Sequence, residues 1–159
     1  MKTQSVPVFA AYSAIAAAIA ALASAACVAL DLPIWAMFIG WVAYYTRGVN
    51  PRDGAWNFAC VVAGIAIGIG TALALGVLGP RLGALAAPVA VFVLAWAVVS
   101  LRALPQLNNL LCYFLGLIAF FASSREPALA ALLALGLAIA IGSVGAWLSH
   151  SLQHRYLPA

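Results

Sequence analysis

The chain has 159 residues, of which 67% are hydrophobic and 6% charged, with a mean hydropathy of +1.14. Seven basic and three acidic side chains cannot cover a water-soluble globule, whose residues are about one-quarter charged. Soluble-domain, disordered, nucleic-acid-binding and disulfide-scaffold classes are excluded together; an integral membrane protein remains, with the lipid bilayer as its first partner.

Charged and turn residues divide the chain into six apolar segments. The first runs from about Val6 to Leu30 and is closed by Asp31-Leu32-Pro33. Lys2 ahead of it and Ser24-Ala25-Ala26-Cys27 within it resemble a signal peptide. Its apolar stretch exceeds the roughly 7–15 residues of a signal h-region, so a retained helix is expected. The second segment, Pro33 to about Thr46, ends at Arg47-Gly48, and Val49 to Gly54 reads as a loop with Asn50-Pro51 as its turn. The third, Ala55 to Leu78, stops at Gly79-Pro80-Arg81, and the fourth spans Gly83 to Leu101. The fifth is short, from Asn108 to Ala122, and the sixth starts at Pro127 and fades near His150.

About 20 helical residues cross a hydrocarbon core of about 30 Å. Segments one, three, four and six meet that length, whereas two and five fall short of it. Continuous rather than alternating apolar runs disfavour strands. The expected fold is an all-α integral membrane domain over residues 1–159 with six transmembrane helices, the second and fifth short. Six spans place both termini on one side. That side carries Lys2, Arg47, Arg52, Arg102 and Arg155, leaving Arg81 and Arg125 opposite. The positive-inside rule makes it the cytoplasmic face, and the net +4 becomes an orientation signal.

The order long, short, long occurs twice. Leu32-Pro33 matches Leu104-Pro105, and Phe38-Ile39-Gly40-Trp41-Val42-Ala43-Tyr44-Tyr45 matches Phe114-Leu115-Gly116-Leu117-Ile118-Ala119-Phe120-Phe121. Gly64 to Thr71 aligns with Gly136 to Ser143. Three spans per copy require inverted topology, with repeat one over about 6–78 and repeat two over about 83–150. Such repeats place a pathway near the midplane in transporters.

These residues also carry a family resemblance. Trp35-Ala36-Met37-Phe38-Ile39-Gly40 with Tyr44-Tyr45, Phe114-Leu115-Gly116 with Phe121-Ala122, and Ala134-Leu135-Gly136-Leu137 resemble the small bacterial inner-membrane proteins of domain-of-unknown-function family 1097. The similarity covers about Cys27 to Trp147. Leu111 departs from a proline that relatives tend to show. The resemblance implies six spans in a bacterial inner membrane and no particular activity.

No Asp, Glu, Lys, Arg or His falls inside a predicted span, which argues against a buried coupling carboxylate and against catalysis. No catalytic, cofactor or metal site is expected, and no cofactor. His150 and His154 share a helix face but make a weak metal site. Cys27, Cys60 and Cys112 read as packing residues, and Trp56, Trp96 and Trp147 as anchors. Thr71, Ser100 and Ser143 read as side chains bonded back to their own helix. The candidate pathway gathers Phe38, Gly40, Trp41, Tyr44 and Tyr45 from the second helix with Asn109, Phe114, Gly116, Phe120 and Phe121 from the fifth. The two short helices are expected to face each other across a pseudo-two-fold axis, the glycines leaving room for a backbone or a solute. Asp31 and Asn108-Asn109 read as helix caps or pathway mouths, with Gln106 beside the second mouth. Glycine and alanine ridges at i and i+4 suit helix contacts or a homo-oligomer. The expected function is a passive channel or facilitator for a small uncharged or weakly polar solute. The alternative is a non-transporting subunit that packs against partner membrane proteins.

Overall fold

The computed structural model describes residues 6–156. Lys2, one of the orientation charges, lies outside the described residues. The fold is all-helical: α1 (Val6–Ala29), α2 (Ile34–Tyr44), α3 (Pro51–Leu82), α4 (Ala86–Ser100), α5 (Leu110–Ala122) and α6 (Leu129–Tyr156), with 3-10 turns at Gly83–Leu85, Leu101–Ala103 and Pro105–Leu107. A lipid environment requires each segment to satisfy its own backbone, and Ala/Leu-rich runs do so as helix. Three helical stretches are long and apolar enough to cross a membrane: Val6–Ala29, Pro51–Ala103 (α3 with α4) and Leu129–Tyr156. At 1.5 Å per residue, α2 and α5 reach only about 16–20 Å.

Several boundaries differ from the sequence reading, each for a local reason. Pro51 to Gly54 is the first turn of α3 rather than loop. Asn50 caps it by accepting from the Asp53 N–H, and Pro51 sits where no N–H is needed. Pro80 does not end α3. It lies in the last turn, and the helix stops instead at Gly83, whose φ of +53° suits a residue without Cβ. α6 begins at Leu129, two residues after Pro127, and its tail runs on to Tyr156. Asp31 caps nothing. It occupies a left-handed bend (φ +51°), and Pro33 takes the N-cap position of α2.

The helices assort in a way that chain order does not suggest. α2 packs chiefly on α6 and α3 chiefly on α5; α1 lies against α6 and α4 against α3. Two three-helix units result, α1-α2-α6 and α3-α4-α5, so the third helix of each half belongs to the other half's unit. Close glycine crossings explain the choice. A Cβ on Gly40 would meet the Ile139 carbonyl group, and one on Gly142 the Met37 carbonyl group and the Trp41 nitrogen. In the other unit a Cβ on Gly116 would lie 3.0 Å from the Gly64 Cα, and one on Gly64 3.1 Å from the Gly116 Cα. Backbones this near gain dispersion contacts that larger residues would forbid.

Two sequence expectations change here. The short helices do not chiefly face each other. Each lays its glycine on a long helix, α2 on α6 and α5 on α3, so backbone fills the room beside Gly40 and Gly116. The register of the third match also shifts. Gly142, not Gly136, has the environment that Gly64 has, while Gly136 meets nothing within 4 Å. Ala/Leu/Gly-rich helices align equally well in several registers, and only contacts distinguish them.

Candidate functional site

Between the two units runs a seam, and its chemistry differs along its length. Its middle is filled by Ile65, Leu117, Leu135 and Ile139 in one apolar cluster. At the end where α2 stops and α5 starts, polar side chains from both units meet.

The network grows from the termination of α2. The carbonyl of Ala43 in its last turn and that of Arg47 in the turn beyond it already accept from the Thr46 and Val49 N–H groups, and both also accept from Asn57 Nδ2, at 3.0 and 3.2 Å. Asn57 belongs to the second turn of α3 and is fully buried. Its Oδ1 accepts from Asn109 Nδ2 at 2.8 Å, and Asn109 also donates to Thr46 Oγ1 at 2.7 Å. Asn109 caps α5 through the Cys112 N–H, which bears out the capping read from sequence. The Thr46 hydroxyl donates to the Ala43 carbonyl at 2.7 Å, so the Cys112 thiol, 3.3 Å from Oγ1, donates in turn. Every hydrogen-bonding atom of Asn57 is thus engaged, which fixes its amide orientation.

Arg47 extends the network outward. Its guanidinium donates to Asn108 Oδ1 and to the Gln106 carbonyl at 3.0 Å, and its Nε lies 4.0 Å from Asp53. A polar recess of about 450 Å³ opens here, lined by Arg47, Asn50, Arg52, Asp53, Trp56, Pro105, Gln106 and Asn108. The opposite end of the seam is chemically plain. Ser123 Oγ donates to its own helix at the Phe120 carbonyl and accepts from the Arg125 N–H. No side-chain hydrogen bond there joins the two units among the described residues.

The predicted pathway residues are dispersed. Phe38, Tyr45, Phe114 and Phe121 lie 40–48% exposed on outer helix surfaces. Trp41 covers Gly145, and Phe120 covers Gly68, each within its own unit. Gly40 and Gly116 are crossing points. Only Tyr44 and Asn109 reach across the seam, Tyr44 by laying its ring on Gly54. The Tyr44 hydroxyl is buried without a partner, as are Tyr113 Oη and Ser149 Oγ, each a costly condition in an apolar interior.

A family model described as protein of unknown function (DUF1097) matches residues 10–153, nearly the whole chain. The chain belongs to this family. No curated protein and no solved structure matches it. Membership and the apolar helices together make it a membrane protein of an uncharacterised family.

Sequence reasoning missed Asn57, Thr46 and Arg47 as network members. A signal for Asn57 was present: it is the one asparagine inside a helix among the described residues, and polar side chains within apolar helices are commonly functional. Its amide carries no charge, so ionisable groups alone do not reveal it. The remaining sequence readings divide. Thr71 and Ser100 do bond back to the i−4 carbonyls of Ile67 and Trp96, but Ser143 reaches across to the Gly40 carbonyl at 3.1 Å. Cys27, Cys60 and Cys112 are buried, and the rings of His150 and His154 meet edge to face with centroids 4.3 Å apart.

Proposed function

We propose that the protein is a passive facilitator for a small uncharged or weakly polar solute, built from two inverted three-helix repeats, α1–α3 and α4–α6. The repeat reading is supported by the pairing of the glycine crossings, where Gly40 on Ile139 has its counterpart in Gly116 on Val61 and Gly142 on Met37 in Gly64 on Tyr113. The same exchange of helices relates α1 on α6 to α4 on α3. In this reading the membrane is a bacterial inner membrane with both termini cytoplasmic, and the polar end of the seam faces the cytoplasm. No catalytic, cofactor-binding or metal-binding residue belongs to it.

The observation that carries the facilitator reading is the set of hydrogen bonds joining Asn57 and Asn109 to Thr46 and to the Ala43 and Arg47 carbonyls. All but the Asn57–Asn109 bond cross between tightly packed units whose mutual contacts are sparser. Two firm bodies joined by a polar latch at one end can part along the seam, and parting exposes Asn57, Asn109 and the unpartnered Tyr44 hydroxyl to a solute. Interhelical hydrogen bonds in membranes are worth only about 0.6 kcal/mol on average, up to ~1.7, so such a latch opens readily. The test is solute-induced swelling of proteoliposomes over a panel of small neutral solutes. Wild type is expected to exceed empty vesicles for at least one solute, and Asn57→Ala to raise that rate. Permeability equal to empty vesicles throughout rejects the facilitator.

A second reading, a packing subunit for partner membrane proteins or for its own copies, is favoured by the filled seam and by Gly70, Gly76 and Gly136, which meet nothing within 4 Å. Substituting leucine at these positions then abolishes co-purification of the partner and leaves solute flux unchanged.

A further inference from the structure

The first turn of α3 stands between two differently made cavities. On one side is the polar recess, where Arg47 and Arg52 are joined by Asn50, Gln106 and Asn108. Its one carboxylate is already committed: Asp53 Oδ2 accepts from Asn50 Nδ2 at 2.7 Å, and Oδ1 lies 4.0 Å from Arg47 Nε. Arg52 makes no side-chain hydrogen bond or ion pair among the described residues, so the recess keeps one unneutralised cation. The positive end of the α3 dipole adds to it. On the other side is an apolar groove of about 260 Å³. Pro51, Gly54, Ala55 and Phe58 of α3 line it at i, i+3, i+4 and i+7, facing Ala140, Ser143, Val144 and Trp147 of α6 at the same spacing. The two helices run antiparallel there, so the groove leads from Pro51 and Trp147 toward Phe58 and Ala140, about 10 Å along the axis.

Consecutive residues serve the two cavities: Pro51 lines the groove and Arg52 the recess. A soluble anion would use the recess alone, and a neutral acyl chain the groove alone. We propose that the two together form a binding site for one anionic phospholipid, its phosphate at Arg52 and Arg47 and one acyl chain laid in the α3–α6 groove. Guanidinium groups hold phosphate through paired N–H donors, and Trp56 beside them is a residue type suited to the headgroup level. The small side chains of Ala55 and Ala140 leave the depth that a methylene chain fills, and Gly54 admits the Tyr44 ring that also lines the groove. Because α3 and α6 belong to different units, the bound chain bridges the seam at its polar end and holds it closed. The lipid is therefore a regulator of the seam as well as a ligand.

The test is thermal unfolding of the purified full chain in neutral detergent, with phosphatidylglycerol, phosphatidylcholine or inorganic phosphate added. A ligand that binds the folded form raises the midpoint, because it stabilises that form by RT ln(1 + L/Kd), where L is the free ligand concentration. Phosphatidylglycerol is expected to raise it by several degrees more than phosphatidylcholine, with inorganic phosphate inert. Arg52→Gln abolishes the difference between the two lipids, while Arg125→Gln, at the opposite end, preserves it. Ala55→Trp, on an exposed helix position, fills the groove and abolishes the shift given by phosphatidylglycerol. Equal shifts from the two lipids, a shift reproduced by inorganic phosphate, or an unaltered preference in Arg52→Gln each overturn the site. Native mass spectrometry of the same variants reads retained phosphatidylglycerol directly, independent of any change in folding stability.

Discussion

The two ends of the seam are formed by the same four helices, α2, α3, α5 and α6, and closed by different forces. Where α2 ends and α5 begins, Asn57, Asn109, Thr46 and Arg47 tie the units with directional bonds. Where α5 ends and α6 begins, the Ser123 hydroxyl stays within its own segment, and Phe120 and Ala131 belong to the apolar cluster. In lipid, apolar contact gains little from leaving the solvent, because the surrounding tails are equally apolar. Dispersion then holds one end and hydrogen bonds the other. Packing repeats across the two halves, and polar chemistry does not.

The largest effect should come from the crossings that make each unit firm. Gly116→Leu or Gly142→Leu drives a side chain into a facing backbone and is expected to cost about 3 kcal/mol or more, seen as loss of the folded fraction when SDS is titrated into mixed micelles. Gly136→Leu, with open space around it, should leave the same curve within about 0.5 kcal/mol. If Gly136→Leu proves the more damaging, the division into two units is wrong. Next comes the latch. Asn57→Ala removes a partner of Asn109 and one of several donors to the Ala43 and Arg47 carbonyls, a loss of about 1–2 kcal/mol, and amide hydrogen exchange should quicken near Thr46 and Arg47. A Thr46→Val, Asn109→Ala double-mutant cycle should then show a coupling of roughly 0.6–1.7 kcal/mol; zero coupling would mean that their 2.7 Å contact carries no energy. The smallest effect belongs to the plain end, where Ser123→Ala should change stability by under about 0.5 kcal/mol. A larger loss there would erase the contrast between the ends.

Much of the architecture was legible in the sequence because charges and prolines bound each helix and apolar runs fill it. The two short helices, the Asn109 cap and the paired aromatic-glycine motifs could all be read directly. Which helix each glycine meets could not. Gly40 looks the same whether it faces α5 or α6, since the contact partner is a backbone carbonyl and carries no sequence signature. Register in α3 and α6 was hidden for a related reason: Gly64 finds small residues at several offsets. The latch was half legible. Asn109 announced itself at a helix start, whereas Asn57 sits inside an apolar run, where only its polarity marks it. Thr46 and Arg47, read as the chain leaving α2, are drawn into the site by the left-handed turn at Gly48 and Val49.

The exchange of third helices bears on how the chain is made. Helices α3, α4 and α5 leave the ribosome in succession and contain everything their unit needs, so that unit can close during synthesis. Helices α1 and α2 emerge first yet lack their partner until α6, the last element, has been translated. The cleft at Gly40 therefore stays empty in the bilayer until Ile139 and Gly142 arrive. Any nascent chain stopped before that point carries one finished unit and one open one, with Gly40 uncovered.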